Sequence, residues 1–203
     1  MSESINEILG RIVVASLGKC AEKLSRSSTG IWKIAGADVS MGSLDEAVKR
    51  HSVAGAESTA IYFAVKGDLP FIAIILFDTR DIGRISKCLL GYSFSPAPVL
   101  TQGGELLLSE LGNIILNSFV GALSNALKRV FMPSAPRCVR GEPRYLLEAM
   151  RVSMDIEQSY RIISVKMDIQ CDKSVTRSEV LGLIPEKLAQ EILNIGPSGA
   201  PRA

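Results

Sequence analysis

Three polar residues within an otherwise apolar stretch carry the most pointed chemistry in this 203-residue chain. Glu110, Asn113 and Asn117 are spaced by three and four, which brings side chains together on one face of an α-helix. Leu107, Leu111, Ile114, Ile115, Leu123 and Leu127 recur at helical intervals and make a separate apolar face. Asparagine is a mediocre helix former, so two in the middle of one helix carry a modest propensity cost. An amide donates and accepts hydrogen bonds at once, which suits it to hold a water in line with a phosphorus atom. A carboxylate beside it can engage a cation on a partner and fix the geometry of approach. Glu-x-x-Asn is also common on solvated helix faces, and two features single out this one. Gly112 stands directly before Asn113, where another backbone can come close, and Pro136 follows Asn113 after twenty-two intervening residues.

Other chemistries are excluded by residue type and spacing. The single histidine, His51, lies in a polar, alanine-rich stretch and reads as a solvated loop residue rather than a general base. The chain has no Gly-x-x-x-x-Gly-Lys phosphate loop, no Gly-x-Gly-x-x-Gly and no Gly-x-Ser-x-Gly elbow. Cys20, Cys88, Cys138 and Cys171 form no CxxC pair and have no nearby histidine, so reduced thiols are expected rather than a zinc site or a disulfide framework. Asp68, Asp78 and Asp81 sit at a turn and a helix start, where capping accounts for them. A net charge of +2 with scattered basic residues argues against nucleic acid. The longest strongly apolar run, Leu69 to Phe77, is too short to span a bilayer, and the N-terminus lacks the features of a signal peptide. A soluble cytoplasmic protein is expected.

The elements that must position these residues follow from periodicity. A first helix is predicted from about Ser4 to Ser25, a short strand at Ile31–Ala35, and a brief helix at Ser43–Arg50 with Ser43 as N-cap. Thr59–Val65 and Pro70–Asp78 read as a hairpin, and a helix from Thr79 to Leu90 stops at Gly91. Ser95–Val99 and Gly103-Gly104 break the pattern as a linker does. The order then restarts: a long helix over Glu105–Phe131, a Pro-rich connection over Met132–Pro143, a strand from near Arg144, a hairpin of Ser159–Gln170 and Ser178–Leu183, and a last helix over Pro185–Leu193. The tail, Gly196 to Ala203, reads as disordered.

A residue-level trace accompanies the restart. Leu9-Gly10-Arg11-Ile12 matches Leu111-Gly112-Asn113-Ile114, and Ser16 and Ser118 each follow four residues past the isoleucine. The same register aligns Ile61–Val65 with Ile163–Met167. An ancient duplication is therefore expected, giving one α+β unit whose halves join in a continuous antiparallel sheet covered by helices.

The segment from Ser109 to Ser124 resembles the signature helix of the CheC/CheX/FliY phosphatases. Their motif is Asp or Ser, three residues, Glu, two residues, Asn, twenty-two residues, then Pro. Glu110, Asn113 and Pro136 match it in type and spacing, but Leu106 stands where Asp or Ser is expected. In the first half Ser4 fits the leading position, whereas Ile8, Arg11 and Ile34 replace Glu, Asn and Pro. The resemblance implies a pseudo-twofold, duplicated CheC-like fold with two long motif helices. It implies one domain over residues 1–195, with repeats at about 1–94 and 104–195, and one working site in the second half.

The activity implied is hydrolysis of the aspartyl phosphate of a CheY-like receiver in chemotaxis or a related two-component pathway. Asn113 would orient the attacking water and Glu110 would bind the receiver's active-site lysine, with Asn117 and Pro136 also facing the partner. Mg²⁺ would reside in the receiver, so the chain needs no cofactor or metal of its own. The resemblance also implies a CheD-like deamidase as regulatory partner, and self-contained halves favour a monomer. The rival expectation is a non-catalytic binding module like the middle domain of FliM, in which Arg11 would serve a docking surface.

Overall fold

A computed structural model of the chain describes residues 5–52, 57–94, 100–152 and 158–195. Helix α1 covers Ile5–Ser27 and is followed by strand β1, Trp32–Ser43, and helix α2, Leu44–Ser52. The hairpin β2 (Ser58–Lys66) and β3 (Phe71–Asp78) leads through a 3₁₀ turn, Thr79–Asp81, into α3, Ile82–Leu90. The second half begins with α4, Gln102–Leu127, then short strands β4 (Met132–Pro133) and β5 (Arg137–Gly141). Helix α5 (Pro143–Val152), strands β6 (Tyr160–Cys171) and β7 (Ser174–Pro185), and helix α6 (Glu186–Leu193) complete it.

All seven strands join one antiparallel sheet in the order β1-β6-β7-β3-β2, with β4 and β5 both pairing to β2 at the far edge. Strands from the two halves therefore interleave. If β1, β2 and β3 are exchanged for β5, β6 and β7, the order reads the same from either edge, with β3 against β7 at the centre. The two long helices meet in the same manner. Ser16 Oγ donates to the Ser118 carbonyl at 2.9 Å, and Ser118 Oγ donates to the Ser16 carbonyl at 3.0 Å.

Alternation along the strands separates two cores. On one face Phe63, Ile75, Phe77, Val165 and Val180 pack beneath α1 and α4, which contribute Leu9, Val13, Leu17, Leu108, Leu111 and Phe119. On the other, Ala60, Ile74, Leu181 and Leu183 meet Leu44 and Ala47 of α2 and Leu147 and Met150 of α5. α4 is long and apolar enough to cross a membrane by length and composition, yet its apolar side chains are largely spent on this core.

Several elements depart from the sequence expectation for physical reasons. The strand expected near Arg144 is helix α5, in which Leu146, Leu147 and Met150 recur at helical spacing and are buried. Pro143 at its first position suits a helix start. The Pro-rich connection instead contains β4 and β5. β1 runs to Ser43, because Ala37, Val39 and Met41 face the core while polar residues alternate outward. β7 starts at Ser174, joined to β6 by a tight turn in which Asp172 takes a left-handed φ of 51°. Gly103 and Gly104 form the first turn of α4, capped by the Thr101 hydroxyl, which accepts from Gly104 N–H at 3.2 Å. That helix stops at Leu127 instead of Phe131 because Lys128 turns left-handed, and Arg129 then pairs with Glu191 and Asp68. His51 falls in the last turn of α2, not in a loop. The linker at 95–99 and the tail at 196–203 lie outside the described residues.

The cysteines also differ from expectation. Cys88 of α3 and Cys171 at the end of β6 form a disulfide across 83 residues of sequence, leaving Cys20 and Cys138 free. Sequence spacing conceals this pair because α3 folds back over the β6–β7 turn, where Gly30 N–H donates to the Cys88 carbonyl at 2.9 Å. A side chain at Gly30 would collide with Cys171 Sγ, so the crossing needs glycine there.

Two glycines of α4 separate packing from propensity. A Cβ at Gly112 would lie 2.7 Å from Ile61 Cβ on β2, whereas one at Gly121 meets nothing within 4 Å. Replacing either by alanine gains about 1 kcal/mol of helix propensity, but overpacking a rigid contact costs about 1–3 kcal/mol. In urea unfolding, Gly112→Ala should therefore destabilise the chain while Gly121→Ala stabilises it. Thiol titration of the unfolded, unreduced protein should find two reactive cysteines, rising to four after reduction. Removing the disulfide by Cys171→Ser should cost roughly 2–4 kcal/mol.

Candidate functional site

Helix α4 presents the candidate residues because one side of it is fixed against the sheet. Gly112 is buried against Ile61, and Leu108, Leu111, Ile115 and Phe119 fill the core beneath. At 100° per residue, positions 106, 110, 113 and 117 then turn away from the sheet. Glu110 and Asn117 are exposed, and Asn113 is half-buried. The close approach that Gly112 permits is thus to the protein's own β2, not to a partner's backbone.

Asn117 and Asn113 are in direct contact. Asn117 Nδ2 donates to the Asn113 carbonyl oxygen and to Asn113 Oδ1, both at 2.8 Å. The sequence placed these amides on one face but gave no sign that one holds the other. Leu106 is 73% exposed on the same face, one turn before Glu110. Pro136 is half-buried in the loop between β4 and β5, where Ser134 N–H donates to the Ala64 carbonyl at 2.8 Å. No described contact joins Pro136 to the polar face. Its neighbour strand does reach the start of α4, since the Glu105 carboxylate acts on Cys138.

The corresponding positions of α1 lack the carboxylate and the amide. Ile8 is buried at 5% exposure, Arg11 is exposed, and Ile34 is half-buried against the main core. Ser4 lies outside the described residues. The twelve residues of β1 pack along α1, with Met41 N–H donating to Asn6 Oδ1 at 3.1 Å. The counterpart beside α4 is only the five-residue β5.

Among the described residues, other reactive groups do not form a competing centre. Burial pushes the Cys20 thiol up, and burial followed by the Glu105 carboxylate pushes Cys138 up, so neither is an activated nucleophile. Cys88, Cys171 and Asp172 place potential metal-ligating atoms within 4.8 Å of one another. Their sulfurs are bonded together, however, and Asp172 Oδ1 accepts from Ile31 N–H at 3.1 Å. Asp78 caps the 3₁₀ turn and chelates Arg80, while Asp81 pairs with Arg84 and Asp68 with Arg129.

A cleft of about 600 Å³ lies on the α2/α5 side of the sheet, lined by Asp38, Lys166, Asp168, Arg177 and Glu179 among others. There the buried Glu179 accepts a hydrogen bond from the buried Ser164 hydroxyl. This pair went unnoticed in the sequence. Strand alternation carried a signal for it, because Glu179 shares a face with Leu181 and Leu183. Its charges are of both signs and it faces away from α4.

Comparison with solved structures gives this arrangement a context. No protein-family model matches the chain, and no curated protein matches it by sequence. FliY of Thermotoga maritima superposes with a TM-score of 0.70, covering 96% of each chain at 13% identity. The FliM middle domain from Vibrio alginolyticus has a TM-score of 0.56 at 14% identity, covering 95% of this chain and 99% of that one. A CheC-like protein from Shewanella has a TM-score of 0.53 at 12% identity, covering 85% and 96%. This chain has the CheC/CheX/FliY fold. Within that fold, shared with the FliM middle domain, α1 and α4 are the two long helices on one face of the sheet. The α+β, CheC-like fold expected from the sequence is therefore present, with α4 as the helix that bears Glu110 and Asn113.

Proposed function

We propose that this chain hydrolyses the aspartyl phosphate of a CheY-like receiver domain, using the outer face of α4. The observation that carries this reading is the joint presentation of Glu110 and Asn113 on the outer face of α4, a pairing that α1 does not match. Glu110 engages the receiver's active-site lysine, and Asn113 holds a water in line with phosphorus. The water oxygen bonds to phosphorus as the bond to the aspartyl oxygen breaks, releasing inorganic phosphate and the receiver's carboxylate. Mg²⁺ belongs to the phosphorylated receiver and supplies charge neutralisation there. Positioning can supply much of such a barrier, because phosphoryl transfer leaves little covalent chemistry to the protein. In the same reading the chain acts in the cytoplasm as a monomer, arose by duplication, and retains Pro136 as a support for the docking edge. A CheD-like deamidase is its candidate regulator.

A second reading is favoured by Leu106. An exposed leucine where the motif carries Asp or Ser suits a contact surface, and the FliM-like fold accommodates a module that binds without catalysis. The two readings separate cleanly. An enzyme accelerates receiver dephosphorylation at substoichiometric amounts, whereas a binding module slows or ignores it.

Asn113→Ala should lower phosphate release about 10²-fold or more while leaving receiver binding largely intact. Glu110→Lys should instead weaken binding by placing like charges together. Full activity of Asn113→Ala in a phosphate-release assay would rule out this site.

A further inference from the structure

We infer that Asn117 is a positioning residue that sets the orientation of the Asn113 amide, an inference that rests on the hydrolytic reading above. The Asn117 amide nitrogen carries two hydrogens. It donates to both the Asn113 carbonyl oxygen and Asn113 Oδ1, each at 2.8 Å, within one turn of α4. The first bond anchors the donor to the helix backbone. The second pins the rotation of the Asn113 side chain about its last torsion.

That torsion is the weak point of an asparagine used to hold water. It is broad and roughly two-fold, so an unrestrained amide presents either its oxygen or its nitrogen to a partner. With Oδ1 turned toward Asn117, the Nδ2 hydrogens of Asn113 have no partner among the described residues. They are therefore the groups that meet the water or a phosphoryl oxygen. A water gripped by a donated hydrogen keeps a lone pair free for phosphorus, and Oδ1 keeps a second lone pair for one of the water's own protons. Asn117 is exposed. Its cost as a weak helix former is thus not offset by burial, and holding Asn113 gives the residue a purpose.

The test compares Asn117→Ala and Asn117→Asp in steady-state release of phosphate from a phosphorylated CheY-like receiver. Alanine removes the donor, and the new carboxylate accepts where the amide donated, so Asn113 must turn its nitrogen inward. Both substitutions should lower kcat by about 10-fold or more. Asn117→Ala should lower kcat by a larger factor than it raises KM for the receiver, and give a Tm equal to or above that of the unmodified protein. In an Asn113→Ala background, neither change should add a further loss. Unchanged kcat in both variants, or a loss confined to KM, would overturn the role of Asn117. An unmodified protein that leaves receiver decay at its intrinsic rate would instead overturn the hydrolytic reading, and this role with it.

Discussion

The contact between Gly112 and Ile61 governs the surface this chain presents. A helix laid on a sheet can roll about its axis, and the side chains it exposes depend on that roll. The absence of a side chain at residue 112 lets α4 sit directly on β2, where even one methyl group would have to displace Ile61. Leu108, Leu111 and Ile115 then enter the core, and Leu106, Glu110, Asn113 and Asn117 face outward. α1 secures the flank through the reciprocal serine bonds and through Cys20 Sγ, which lies 3.8 Å from the Ile114 carbonyl. Together these contacts leave the polar face little freedom to move.

The sheet order is symmetric but its edges are not. At one edge β1 is long, pairs with β6 over most of its length, and packs along α1. At the other, the chain is divided between β4 and β5, with Pro136 in the gap. The first helix offers a buried isoleucine and an arginine where the second offers a carboxylate and an amide. One scaffold thus carries the carboxylate–amide pair on only one of its two long helices.

Much of this was legible from periodicity. The two long helices, the β2–β3 hairpin and the last helix are strongly patterned, and Ser16 and Ser118, matched in sequence, turn out to touch. Ser43 caps α2 as its sequence implied, accepting from Glu46 N–H while Glu46 accepts from Ser43 N–H. What escaped notice depended on tertiary context. β1 and β7 extend past their apolar centres because their polar residues continue the ladder with β6, β1 as far as Ser43 and β7 from Ser174. α5 resembled a strand because Tyr145-Leu146-Leu147 suits either element until the second core selects Leu146, Leu147 and Met150. The disulfide joins residues that only the packing of α3 brings together. At the site, helical spacing placed Glu110, Asn113 and Asn117 on one face. The bonds between the two amides and the true role of Gly112 required coordinates.

The most direct test of the central claim is dephosphorylation of a CheY-like receiver in ¹⁸O-labelled water with substoichiometric amounts of this chain. The account predicts decay faster than the receiver's intrinsic rate, several receivers turned over by each molecule, and the label in inorganic phosphate. Decay at the intrinsic rate, or label in the receiver's aspartate, would contradict it.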